Sequence, residues 1–119
     1  MQDFEGKTAF ITGGSTGIGF GMATVFARAG MNVVITDIRD EELAKAEGEL
    51  KSITDNVLTL NVNSADVSAV EKAAADVADR FGPLHVLCNN AGVPGGAKVL
   101  ETPNERWRNV HEVNFWGPL

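Results

Sequence analysis

Residues 12–19 read TGGSTGIG, and what stands on either side of them decides the fold. Before them lies Lys7–Thr12 (KTAFIT), a short and mostly apolar run with β-branched residues that ends in glycines, as a buried strand does. After them, Ile18, Met22, Val25, Phe26 and Ala29 recur at helical spacing. A helix over Ile18–Ala29 is predicted, with those residues facing inward and Gly30 as its stop. A glycine-rich loop between strand and helix meets unpaired N–H groups and the positive end of a helix dipole, which together favour an anion. Gly13 suits the sharp turn off the strand, Gly17 the close approach of a ligand, and Gly19 the close packing of helix on strand. No lysine follows the last glycine, so the mononucleotide P-loop pattern fails and a dinucleotide reading stands.

A second feature bears on that reading. Asn32–Asp37 (NVVITD) is another buried strand, and it ends in a carboxylate 18 residues after Gly19. A carboxylate there accepts hydrogen bonds from an adenosine ribose 2′-OH and repels a 2′-phosphate, which favours NAD over NADP. Ile38 follows with no charge, while Arg39 is a counter-signal, since a nearby guanidinium can receive a phosphate.

Further along, Asp40–Lys51 is a charged amphipathic helix with Leu43, Ala46 and Leu50 inward and Glu41 spaced to pair with Lys45. Asn56–Val62 is a third strand. Asp66–Phe81 is a helix with Val67, Val70, Ala74, Val77 and Phe81 in one stripe, ended by Gly82-Pro83. Leu84–Cys88 (LHVLC) is a fourth strand, running into Asn89-Asn90-Ala91-Gly92. Thr102-Pro103-Asn104-Glu105 is a capping-box signature. The helix it opens carries Trp107, Val110 and Val113 on one face and reaches Gly117-Pro118. The order βαβαβαβα implies a parallel sheet covered on both faces.

Composition narrows the function classes. The 119 residues are 44% hydrophobic, the ordinary share for a chain that builds a core. The net charge is −6 with acids dispersed, which argues against nucleic acid and against anionic membrane surfaces. Cys88 is the one cysteine, so no intrachain disulfide forms, and a cytoplasmic setting is expected. No apolar run approaches a membrane span. His85 and His111 lie far apart without a Cys/His cluster, so no metal site is expected. The plain readings of the remaining conspicuous residues are structural: Cys88 a buried small hydrophobe, His85 at a strand entry, His111 on an exposed helix face, Lys98 solvated, Trp107 in core or interface.

Three motifs together resemble the N-terminal half of the short-chain dehydrogenase/reductase family. Thr12, Gly13, Gly17, Ile18 and Gly19 match its T-G-x-x-x-G-I-G pattern, Asn89–Gly92 its N-N-A-G, and Val113, Asn114 and Gly117 its V-N-x-x-G. The resemblance implies that Gly13, Ser15, Thr16, Gly17, Ile18 and Gly19 contact or shape the pyrophosphate and ribose region. It implies that Asp37, with Ile38, holds the adenosine ribose, and that Asn61 and Val62 face the adenine. The family often has Asp where Asn61 stands, and the Asn61 carbonyl oxygen can still accept from the adenine amine. Asn90, Ala91 and Gly92 are implied to line the nicotinamide-ribose side and brace the sheet, and Asn114 to serve the catalytic proton relay.

The family's serine and Tyr-x-x-x-Lys come later in the chain, and these 119 residues contain no tyrosine. The expectation is an α/β, Rossmann-type doubly wound parallel sheet truncated after four strands, with residues 1–119 one NAD(P)-binding domain. The resemblance implies an oxidoreductase moving a hydride between NAD, in preference to NADP, and a small alcohol or ketone. This piece is expected to be inactive alone. The alternative is a non-catalytic dinucleotide-binding module or an interaction fragment. LHVLC is expected to form an open apolar edge. The family also implies homo-oligomers through helices that include Pro103–Gly117.

Overall fold

Strand β1 (Thr8–Thr12) sends Ile11 to one side of a sheet and Phe10 to the other, and strand β2 (Asn32–Asp37) divides Val33 and Ile35 from Val34 in the same way. Both strands therefore need cover on two faces, which their near-continuous apolar runs encode. The computed structural model describes residues 3–92, 104–116 and 118, and only the backbone of residues 106, 107, 110, 115 and 116. Helices α1 (Gly17–Arg28) and α2 (Asp40–Lys51) cover the Ile11 face, to which Val57 of β3 (Val57–Asn61) also contributes. Helix α3 (Val67–Phe81) covers the Phe10 face. With β4 (Val86–Cys88), the strands form one parallel sheet in the order β3-β2-β1-β4. This is the doubly wound order expected for the first half of a Rossmann sheet. Helix α4 (Asn104–His111) runs on into a π-helical turn, Glu112–Trp116.

The predicted bounds of β2 and α2 are those observed. Helix α1 is shifted by one residue, while α3 starts one residue later and the other strands are one or two residues shorter than predicted, as fraying ends are. Local chemistry explains where two of the helices start. Three acids, Asp40, Glu41 and Glu42, occupy the first turn of α2, where they meet the positive end of its dipole. The Asp66 carboxylate accepts the Ala69 N–H at 3.2 Å and caps α3.

Two buried faces differ from expectation. In α1 the buried residues are Gly19, Ala23 and Ala27, whereas Ile18 is 79% and Val25 63% exposed and Ala29 is exposed. Small side chains let the α1 backbone lie close on the sheet, and that contact displaces the bulky residues. Phe20, Met22 and Phe26 pack as half-buried flanks. In α3 the buried line steps by four through Ala73 and Val77, flanked by Ala69 and Phe81. Val67, Val70 and Ala74 are exposed. The predicted Glu41–Lys45 pair is replaced on α2 by Lys51–Glu47 at 2.7 Å, with Glu47 also accepting from Thr59 Oγ1 at 2.7 Å.

Cys88 is half-buried rather than fully buried, and burial pushes its thiol pKa up. His85 is exposed at the entry to β4, where its Nδ1 accepts the Thr8 N–H at 3.1 Å. His111 is exposed on α4. Among the described residues β4 pairs with β1 alone, and Leu87 is 55% exposed. Lys98, Thr102, Pro103 and Gly117, and the Trp107 and Val110 side chains, lie outside the described residues.

Candidate dinucleotide site

The loop after β1 turns on Gly13 at φ +63°, a left-handed conformation that glycine takes without strain. The Gly14 N–H donates to the Thr36 carbonyl at 3.1 Å and ties the loop to β2. Gly19 is required for a different reason. A Cβ there would land on the Gly13 carbonyl oxygen and 2.5 Å from Asn90 Nδ2. The first turn of α1 therefore lies against the loop and the end of β4 at once. Thr16 is the N-cap of α1, yet its hydroxyl caps no N–H of that helix, and the first turn carries no acid. Its N–H groups are left for an outside acceptor.

Asp37 closes one side of this space. Its Oδ1 accepts from the backbone N–H of Ile38 at 2.8 Å and of Arg39 at 3.1 Å, and from Arg39 Nε at 3.0 Å. Its Oδ2 accepts from the Ser15 hydroxyl and from Arg39 Nη2, the latter at 2.9 Å. Burial alone pushes the carboxyl pKa up, but the hydrogen bonds from Arg39 and Ser15 outweigh it and hold the group at about 2. The same pairing pushes the Arg39 guanidinium pKa up.

The opposite side is built at the ends of β1 and β4. Thr12 Oγ1 accepts the N–H of Asn90 at 3.0 Å and of Ala91 at 2.9 Å, and donates to the Cys88 carbonyl at 3.4 Å. Asn90 Nδ2 donates to the carbonyls of Thr12 and Gly13, both at 3.1 Å. Asn114 Oδ1 stands 3.1 Å from where a Cβ on Gly92 would lie.

A cavity of about 550 Å³ spans the two sides. Of the cofactor-site residues expected from the family resemblance, Gly13, Thr16, Asp37, Ile38, Val62, Asn90, Ala91 and Gly92 line it. Ser15 stands behind Asp37 as a donor, and Gly17, Ile18, Gly19 and Asn114 do not line it. Asn61 is exposed, its Nδ2 donating to Asp40 Oδ1 at 2.6 Å and to the Ile38 carbonyl at 3.3 Å. The wall also includes Arg39, Asn63, Ser64, Asn109 and Val113. Asn63 and Ser64 carry the signal of polar residues just past a strand's carboxyl end. Asn109 and Val113 are four residues apart, spaced to share a helix face. Among the described residues no helix is long and apolar enough to cross a membrane, and no cluster of three or more His, Cys, Asp or Glu is placed to hold a metal.

The geometry fits a dinucleotide: uncapped N–H groups, a loop that a Cβ would fill, and a buried carboxylate at the end of β2. Comparison with known proteins agrees. The short chain dehydrogenase family model matches residues 7–119. The chain is 40% identical over 112 residues, 92% of its length, to 1-deoxy-11-beta-hydroxypentalenate dehydrogenase of Streptomyces arenae. A short chain dehydrogenase/reductase from Burkholderia phymatum in complex with NAD superposes with a TM-score of 0.93 at 32% identity over 98% of this chain. An actinorhodin polyketide ketoreductase with NADPH superposes with a TM-score of 0.89, also at 32% identity, over 93% of it. The chain spans about two-fifths of the length of each of these proteins. Relatives thus bind either nicotinamide dinucleotide.

Proposed function

The chain belongs to the short-chain dehydrogenase family, and from that premise we propose that its 119 residues form one NAD(P)-binding domain, the dinucleotide half of an oxidoreductase acting on a small alcohol or ketone. The observation that carries this reading is the single cavity joining the glycine loop and Asp37 on one side to Asn90–Gly92 on the other. The uncapped N-terminus of α1 receives the pyrophosphate. Asp37 faces the adenosine ribose, and its buried negative charge disfavours a 2′-phosphate, so NAD is the preferred cofactor. Val62 lies at the adenine end. Asn90, Ala91 and Gly92 face the nicotinamide ribose. Asn114 is assigned to the proton relay, supported by its place beside Gly92.

When bound, the nicotinamide supplies or accepts the hydride. The protein's part is to hold the ring in place and to move a proton at the substrate oxygen. Proton transfer needs an acid–base group within hydrogen-bond reach. The family's tyrosine is not among these residues, so they bind the dinucleotide without turning over on their own.

Titration with ADP-ribose and assay with NAD(H) test the two halves of this statement. Saturable ADP-ribose binding, without alcohol- or ketone-linked turnover, is the expected result. No binding at millimolar ADP-ribose would overturn the cofactor reading, and turnover by the chain alone would overturn the division of labour. Asp37→Ala is expected to weaken ADP-ribose about tenfold and its 2′-phospho derivative less. Equal losses would undo the preference for NAD.

A further inference from the structure

We infer that His85 is a proton-sensitive latch on β4: when neutral, its ring holds the entry of that strand to β1, and when protonated it lets go and loosens the strand that leads into Asn90–Gly92. Thr8 turns both of its backbone groups to His85. Its carbonyl accepts the His85 N–H at 3.0 Å, and its own N–H donates to the imidazole Nδ1 at 3.1 Å. A backbone N–H can only donate, so Nδ1 keeps a free lone pair and the ring proton sits on Nε2. Imidazole gains a proton just below neutral pH, and both of its nitrogens are then donors. Two donors would face each other, and the ring must leave. The ring is exposed, so protons reach it, whereas Thr8 has no exposed surface and its N–H has no ready substitute for the lost acceptor. No neighbouring charge masks the change. Lys7 precedes Thr8, Asp79 and Arg80 end α3, and Cys88 ends β4, yet none of them bonds to or pairs with His85. Little else holds β4, which is three residues long, has none of them buried, and pairs with β1 alone among the described residues. Side-chain bonds clamp it at both ends: His85 to Thr8 at the entry, and Thr12 to the N–H groups of Asn90 and Ala91 at the exit. Of these two clamps only the one at the entry titrates.

The test follows amide exchange at Thr8 and Val86–Cys88 by NMR in the full chain without ligand, between about pH 8 and pH 5. Two variants measured at each pH cancel the intrinsic pH dependence of exchange. His85→Asn places an acceptor oxygen the same number of bonds from the backbone and does not titrate, whereas His85→Phe has no acceptor at any pH. Wild type is expected to match His85→Asn at the upper pH and His85→Phe at the lower, a change of about fivefold in rate, as the loss of one hydrogen bond gives. A ratio of wild type to His85→Asn that stays flat, or an equal acceleration in Val33–Asp37 of β2, would overturn the latch. So would a ring proton found on Nδ1 at the upper pH from the imidazole nitrogen shifts. If His85→Phe does not fold, the ratio to His85→Asn decides alone. The consequence for the site rests on the dinucleotide reading above. Relative to His85→Asn, wild type is expected to bind ADP-ribose about threefold more weakly at the lower pH than at the upper. A flat affinity ratio beside the exchange change would overturn the transmission to Asn90–Gly92. Failure of every one of these proteins to bind ADP-ribose would count against the dinucleotide reading, while exchange still decides the latch.

Discussion

Thr12 and Asn90 lie 78 residues apart in sequence and are joined twice: Thr12 Oγ1 accepts the Asn90 N–H, and Asn90 Nδ2 donates to the Thr12 carbonyl as well as to that of its neighbour Gly13. One hydroxyl and one amide thus fasten the end of β4 to the glycine loop. Thr12→Val keeps the shape and removes the hydroxyl, taking from the Ala91 N–H its acceptor and leaving the Asn90 N–H to the Cys88 carbonyl alone. The expected cost is about 1–3 kcal/mol in urea denaturation. Thr12→Ser should stay within about 1 kcal/mol of wild type. A Val variant as stable as wild type would show that another contact holds this corner.

Gly19 and Gly48 make a matched pair. A Cβ on Gly19 meets the Gly13 backbone and the Asn90 side chain, whereas one on Gly48, in the exposed part of α2, meets nothing within 4 Å. Gly19→Ala should therefore destabilise by about 1–3 kcal/mol and weaken ADP-ribose binding. Gly48→Ala should stabilise by about 0.5–1 kcal/mol. Opposite signs in thermal melts are the required outcome.

The buried face of α1 is tested by size. Ala23 has no exposed surface, so Ala23→Leu should cost about 1–3 kcal/mol through overpacking. Val25→Lys, on the exposed face, should change stability by less than about 0.5 kcal/mol. The reverse ranking would restore the face expected from the bulky residues.

Acid behaviour follows from Asp37. Its folded pKa of about 2 lies below the ordinary 3.8, so its partners' stabilisation is fully present above pH 4 and is lost as the pH falls through 2. Arg39→Ala removes much of that contribution. Between pH 4 and 2 wild type should lose about 1–2 kcal/mol more than the variant, a range that allows for the solvent-exposed guanidinium. Parallel stability curves for the two proteins over this interval would count against the pairing.

The sequence made some elements legible and hid others for physical reasons. Helix α2 could be read to the residue because acids at its start and the Leu43–Ala46–Leu50 spacing agree with one another. The N-N-A-G motif draws the eye to Asn90 but does not reveal the hydroxyl staple at Thr12, since a threonine's partners depend on how two distant strand ends meet. The buried face of α1 differs from the expected one because hydrophobic spacing weights large side chains, while close helix–sheet contact selects Gly19, Ala23 and Ala27. The two hydrogen bonds from the Arg39 guanidinium to the Asp37 carboxylate are also out of reach of the sequence. Two residues apart, they pair only because the chain turns from β2 into α2 between them.

The four strands should not hold with equal tenacity. All five residues from Val33 to Asp37 in β2 are buried between two neighbouring strands, whereas β4 has three residues, none of them buried, and a single neighbour among those described. Amides in β2 should exchange with solvent deuterium only when the whole sheet comes apart, and those of β4 through a smaller opening that leaves β2 intact. The cavity is shared between these two regimes, with Asp37 on the slow side and Asn90–Gly92 on the fast side. Anything bound across it links the most and the least persistent strands, and slowed exchange at Val86–Cys88 would register its arrival.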